Sequence, residues 1–545
     1  MKQLFYACHT GSRGGISLGM DGMGTRGGLW IRMELIKKPV RTYRTIETRE
    51  TDELFENSII VPDSKPDVKT LLVVNAECFV GKVEKSGRML EVSGEIKYRI
   101  LYEADTPDNR LESITSRFPW SVTCQRPRTD AEIGVAANCR CQHTEASAVN
   151  GRKIVVRSVA SLACRFYEIM NSELGREIEG DNVFVKSMPI NVVSLRDNLD
   201  TVARVGQTLA LPHGSPAIGE ILYAKVNLGN PEVRYGEDGA SLECKGMLNM
   251  LYRGDMAGDS IESVVLEFPV KVNTGIDPGG ENIVLASASL KNWEIEPQED
   301  SDGIYTQVSV SMDVEVSAQA VRHEEQQVVE DAYCIDSVIN LNKAPLDIVT
   351  DERELVENLE ANAHVRLDSE NGSLDEIYMV SVGKKSVLAN VSGNMINVRG
   401  NVGADVVYLA DRKTRDTRSQ NVEIPFSRTL PLPDGENWQV TEADCFIEDS
   451  GFEIISSDSL DVSVKVSIRL RLCKLESIEC IDSIEEVRRE APARKAPIML
   501  YFAQPGDTLW SIAKHYRIPP ENLARDNNMN LKDVPEVGKK LFIMA

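Results

Sequence analysis

The side chains of this 545-residue chain that could do chemistry are six histidines, eleven cysteines and a large surplus of carboxylates. His9, His143, His213, His323, His364 and His515 show no H-x-x-x-H spacing and no neighbouring cysteine that would complete a zinc site. The closest cysteine pair, Cys139-x-Cys141, lacks the two-residue gap of zinc and redox motifs. No G-x-S-x-G nucleophile elbow occurs. Gly383-Lys384-Lys385-Ser386 lacks the first half of a phosphate loop and reads as a hairpin turn. The pattern predicts no enzyme, no catalytic residue, no bound metal and no cofactor. Binding chemistry collects instead near the C-terminus. Trp510 can stack on a sugar or anchor a protein. Lys514, Arg517 and Arg525 can meet an acidic partner.

The elements that must position these groups span Tyr501 to Ile543. Asp507 or Thr508 caps a helix whose apolar residues Leu509, Ile512, Ala513 and Tyr516 fall on one face. Ile518-Pro519-Pro520 stops it and starts a second helix with Leu523 inward. Asn527-Asn528 marks a turn, and Gly538 precedes a strand over Leu541 to Ile543. The predicted order is strand, helix, helix, strand. With GDTLWSIA, L-x-x-x-N and G-x-x-L in place, this stretch resembles a LysM domain. The resemblance implies binding of N-acetylglucosamine polymers such as peptidoglycan. It implies a groove between Gly506, Asp507, Thr508, Leu509 and Trp510 on one side and Asn527, Asn528, Leu531 and Val534 on the other, flanked by Lys514 and Arg525.

Composition limits what the rest can do. At 545 residues the chain exceeds one core, so three or four domains are expected. Net charge is -23, which repels nucleic acid and anionic membranes. The tail from Ile498 carries six Lys and Arg against five Asp and Glu, so the acidity lies in the body. Odd, scattered cysteines suit a reducing compartment. No apolar run approaches a membrane span of roughly 18 residues, and the first residues lack a secretory pattern. A cytoplasmic protein is the expectation.

Residues 1–32 hold eight glycines between Gly11 and Gly28 and no periodicity. They read as a flexible leader, with Met33 the expected true start. From there the chain repeats itself. Val61-Pro62-x-x-x-Pro66 returns as Leu211-Pro212-x-x-x-Pro216, a shift of 150. Leu101-Tyr102-x-x-Asp105 returns as Leu251-Tyr252-x-x-Asp255 and as Val407-Tyr408-x-x-Asp411. Phe118-Pro119 returns as Phe268-Pro269, and Ile424-Pro425-Phe426 lies in the third copy. That copy has Asp368 to Ser373 in place of the paired prolines. A feature present in three copies serves a fold, so the tyrosines are expected in the core and the aspartates at turns. Alternation such as Val308, Val310, Met312, Val314, Val316 and Leu460 to Leu472 reads as half-buried strand. Asp351 to Ala361 is the best helix candidate in the body.

The expected organisation is mainly β: repeats over 33–190, 191–340 and 341–484, sandwich- or barrel-like, then a linker over 485–497 that lets the tail swing, and the βααβ module over 498–545. Three acidic β repeats ahead of one such module resemble the SPOCS-domain family of spore-coat morphogenetic proteins. MELIKKP, SIIVPDSKPDVKTLL and VRGNVGADVVYLADRKTRDTRSQNVEIPFSRTLPLP carry the resemblance. It implies a mother-cell adaptor at the forespore surface, whose LysM domain grips the stage IV sporulation coat ATPase. Its repeats would self-associate or recruit other coat proteins. The alternative expectation is a peptidoglycan-binding wall or cortex protein.

Overall fold

The computed structural model describes residues 33–544, apart from 129–132, 238, 256–259, 278, 281, 368–373, 435 and 488–497. The glycine-rich leader, the Asp368 to Ser373 stretch and most of the linker lie outside the described residues. The first strand set is β1 (Glu34–Ile60), β2 (Val68–Ser86), β3 (Met89–Ala104), β4 (Leu111–Gln125), β5 (Ile133–Asn150) and β6 (Lys153–Glu179). The second is β7 (Val183–Ala210), β8 (Ile218–Leu228), β9 (Glu232–Gly236), β10 (Gly239–Gly254), β11 (Ile261–Asn273), β12 (Ile283–Gln298) and β13 (Gln307–Cys334). The third is β14 (Val338–Arg366), β15 (Glu376–Ser392), β16 (Met395–Asp411), β17 (Asp416–Pro431), β18 (Trp438–Ser456) and β19 (Ser459–Val487). The tail adds β20 (Ile498–Phe502), α1 (Leu509–Tyr516), α2 (Pro520–Asp526) and β21 (Lys540–Met544).

Each set folds into two antiparallel sheets around one core. One sheet is short: β2-β3-β4, β8-β10-β11 with β9, and β15-β16-β17. The other is long: β1-β6-β5, β7-β13-β12 and β14-β19-β18. Proline follows the edges, where a missing N–H costs no ladder bond. Pro39, Pro189 and Pro345 lie on β1, β7 and β14, and Pro119, Pro269 and Pro425 on β4, β11 and β17. The repeated tyrosine and the paired prolines are one device. Tyr102 donates its hydroxyl to the Pro66 carbonyl at 3.0 Å, and Tyr252 to that of Pro216 at 3.2 Å. Both rings are buried, and each pins the loop that closes its sandwich.

The long strands hold 27 to 29 residues, against roughly 5–6 for an average strand. Half of each long hairpin covers its own sandwich. Bulges at Ile46, Arg196 and Thr350 mark where the other half departs, and a second bulge follows at Arg176, Glu330 and Asp482. A bulge bends its strand. The departing halves of all three hairpins pack on one another through Val40, Leu174, Val192, Val328, Ile348 and Cys480.

The sandwiches close in a ring: β4 touches β8, β11 touches β15, and β17 touches β2. Leu72, Val73, Leu101, Leu222, Tyr223, Leu251, Met379 and Val407 meet at its centre, drawn from the same positions of each set. The body is therefore a quasi-threefold trimer made from one chain. Glu442 stitches the third set to the first, 3.1 Å from Arg165 and 3.4 Å from Arg471.

Four expectations change. Asp351 to Ala361 is not helical; it lies inside β14, where Leu355, Leu359 and Ala361 alternate onto the third core. Acidic residues of good helix propensity yield there to tertiary pairing with β19. Gly383 to Ser386 is not a turn but the middle of β15, with a bulge between Val382 and Lys384. Glu485 to Val487 continue β19, paired with Asn340, Ile339 and Val338. The expected divisions at 190–191 and 340–341 fall inside β7 and β14, because the chain passes between sets at the tips of long hairpins.

Candidate binding face of the C-terminal module

The tail folds as strand, helix, helix, strand, with β20 paired antiparallel to β21. Thr508 is the N-cap of α1 and forms a capping box with Ser511: each side-chain oxygen accepts from the other's backbone N–H, at 3.1 and 2.9 Å. Asp507 shapes the turn before it, accepting from the Tyr501 hydroxyl and the Gln504 N–H, both at 2.7 Å. Gly506 has φ +85, a conformation that glycine adopts without strain. Pro520 opens α2 at N1, where its missing N–H is harmless. Asn527 clamps α2 to β21: its amide donates to the carbonyls of Leu523 and Phe542, and its carbonyl accepts from the Phe542 N–H. Leu509, Ile512, Ala513, Leu523, Leu541 and Ile543 form the small core.

The candidate residues separate into three groups. Leu509, Asp507, Thr508 and Asn527 hold the module together. Trp510 and Lys514 face the body. The Trp510 indole donates to Asp331 Oδ2 at 2.9 Å, and Lys514 Nζ reaches Asp331 Oδ1 at 2.5 Å. Tyr333 meets the Trp510 ring edge-on at 5.1 Å, stacks on Phe184 at 5.5 Å and donates to the Ile518 carbonyl at 2.6 Å. Burial alone would raise the Asp331 carboxyl, but the hydrogen bonds and charge from Lys514 and Trp510 outweigh it and hold the group below its ordinary range. Burial pushes the Tyr333 phenol up.

The third group points outward. Gly506, Arg525, Asn528, Leu531 and Val534 are exposed, with Leu531 at 51% and Val534 at 69%. The loops before α1 and after α2 thus leave an uncovered face with two aliphatic side chains and no tryptophan.

The tail is seated on the second strand set rather than swinging, a correction to the expectation drawn from its linker. The seat, Phe184, Asp331 and Tyr333, was not among the sequence candidates. A signal existed: the register positions of Asp331 and Tyr333 are Glu177 and Glu179 in the first set, and Ser483 and Glu485 in the third. An aromatic replaces an acid only where the tail docks.

Residues 501–543 match the LysM domain family. No curated protein and no solved structure matches the chain. LysM is a binding domain associated with N-acetylglucosamine polymers such as peptidoglycan, and it is not catalytic. Among the described residues no group of three or more His, Cys, Asp or Glu is arranged to hold a metal ion. Among them, too, no helix is long and apolar enough to cross a membrane.

Proposed function

We propose that this chain is a non-catalytic assembly adaptor that engages a protein partner through the outward loops of its LysM module. One observation carries the reading. The module's tryptophan, the side chain best suited to stack on a sugar ring, is committed to Asp331 and Tyr333 of the body, while the face left open offers the aliphatic Leu531 and Val534. Aliphatic side chains ringed by polar loops suit a protein surface better than a hydroxyl-rich glycan.

The resemblance of the repeats to SPOCS domains supplies the partner and the place. The partner is the stage IV sporulation coat ATPase, and the site is the mother-cell side of the forespore surface. The ring-shaped body would self-associate or recruit further coat proteins. A second reading, glycan binding as a wall or cortex protein, is favoured by the family match and by the uncovered loops. The test is co-sedimentation of the full chain with ATPase polymers and, separately, with insoluble peptidoglycan. The adaptor reading expects retention by the ATPase, lost in a Leu531→Glu, Val534→Glu double variant. Retention by peptidoglycan alone would establish the second reading instead.

A further inference from the structure

A cavity of about 270 Å³ opens where the three strand sets meet, beyond the apolar centre of the ring. It is lined by β2 and β5 of the first set, β8 and β12 of the second, and β15 and β18 of the third. The apolar centre uses similar residues from each set, as packing on a quasi-threefold axis requires. The cavity does not. Opposite Ile96, Gly246 and Val402, the three sets place Cys78, Leu228 and Lys385. Three residues further along the central strand, opposite Arg99, Asn249 and Asp405, they place Asn75, Lys225 and Ser381. Two lysines thus enter the axis at positions where the fold is content with a neutral residue in the other sets.

Charge in the cavity is unbalanced. Its carboxylates, Glu77 and Asp444, are already engaged: Glu77 by Arg99 at 2.6 Å and the Trp293 indole at 3.1 Å, Asp444 by Arg469 at 3.2 Å. Arg140 at the rim stands 3.7 Å from Asp444. Lys225 is only 7% exposed, and its Nζ donates to Asn75 Oδ1 at 3.2 Å. It crosses from the second set over Gly383 of the third, where an added Cβ would lie 1.9 Å from its Cε. Lys385 lies against the Phe446 ring, Nζ 5.0 Å from the centroid, and has no hydrogen-bond or ion-pair partner among the described residues. Burial, with Arg140 and Lys225 nearby, outweighs the opposing pull of Cys445 and Asp444 and holds its ammonium below the ordinary lysine range. A buried cation without a counter-charge is costly to a fold. A concave site with a surplus of one sign concentrates ligands of the other.

We propose that this axial cavity binds a compact anion bearing two or more negative charges, a polyphosphate or a polycarboxylate, with Lys385 and Arg140 as its direct ligands. Lys225 forms the positive inner wall, and the Gly383 backbone leaves room for it. The anion supplies the counter-charge that Lys385 lacks, and it ties the three strand sets together at their axis.

The experiment is calorimetric titration of the full chain with inorganic pyrophosphate and, separately, citrate, at fixed ionic strength with acetate as the singly charged control. The expected result is one saturable site per chain for at least one dianion or higher, none for acetate, and a raised melting temperature when bound. Saturation by pyrophosphate alone assigns the phosphate source, and by citrate alone the carboxylate source. Lys385→Met is expected to weaken binding tenfold or more while raising the melting temperature of the anion-free chain, since it removes an unpartnered charge; a merely structural lysine would lower it. Arg140→Gln, at the exposed rim, is expected to weaken binding without changing anion-free melting. No saturable binding of either polyanion, or unchanged binding by both variants, would overturn the proposal.

Discussion

Asp331→Ala is the perturbation that bears most directly on the seat of the C-terminal module. It removes the acceptor of the Trp510 indole and the counter-charge of Lys514. A hydrogen bond to a charged group contributes about 1.5–3 kcal/mol. The Lys514 side chain is 41% exposed, so solvent screening holds that ion pair to about 1 kcal/mol or less. The ring contacts of Tyr333 with Trp510 and Phe184 survive the change. The loss is therefore about 2–3 kcal/mol, which lowers the docking equilibrium by roughly 30- to 150-fold. Asp331→Asn keeps a neutral acceptor and is expected to lose about half as much. The assay is fluorine NMR of chain labelled with 5-fluorotryptophan, the Trp510 line being assigned with Trp510→Phe. Wild type should show Trp510 in its docked position, Asp331→Ala a line shifted towards free indole, and Asp331→Asn an intermediate or mixed state. Identical Trp510 lines in wild type and Asp331→Ala would show that Asp331 does not hold the module in its seat.

Acid should undock the module as well. The Asp331 carboxyl is depressed in the docked state, so its contribution is fully present above the ordinary aspartate value of about 4. It is lost as pH falls through the depressed value, and the same fluorine line followed down a pH series reads it. Glu442→Gln should cost about 3–5 kcal/mol by stranding Arg165 and Arg471, read as a lowered denaturant midpoint. Burial opposes the Glu442 charge, but Arg471, Arg165 and Arg469 hold its carboxyl down at about 2, so this link too is present above about pH 4.3 and lost towards pH 2. Tyr102→Phe and Tyr252→Phe should each cost about 1 kcal/mol and to a similar extent, since each frees one proline-loop carbonyl; matched denaturation curves check the equivalence. Leu101→Ala should cost about 2–5 kcal/mol, because it opens a cavity where all three strand sets converge.

Much of the fold is legible in the residues. The alternation from Val308 to Val316 and from Leu460 to Leu472 is half-buried strand, as period-2 patterning requires. The Thr508 cap, the Pro520 start and the Gly538 turn place the helices of the tail to within a residue or two. Where the fold departs from local preference, tertiary pairing overrides it. Asp351 to Ala361 looks helical by composition, yet a 29-residue partner strand fixes it as sheet. Gly383-Lys384-Lys385-Ser386 looks like a turn because glycine is read as punctuation. Its glycine instead clears the path of Lys225 from another strand set, a contact between residues 158 positions apart that no local pattern encodes. The seat of the tail was hidden for the same reason. Trp510 announces a contact surface but not its partner, and only the break in the repeat at Tyr333 marks where it lands.

Whether the outward loops or the tryptophan face meets a partner is decided by comparing two variants of the full chain in one binding measurement with the proposed partner, the coat ATPase. Trp510→Ala loosens the seat and leaves the loops intact; Val534→Glu alters the loops and leaves the seat intact. Trp510→Ala is expected to bind at least as tightly as wild type, while Val534→Glu is expected to lose binding tenfold or more. Binding lost in Trp510→Ala and kept in Val534→Glu would contradict this, and would place the partner on the face that the body covers.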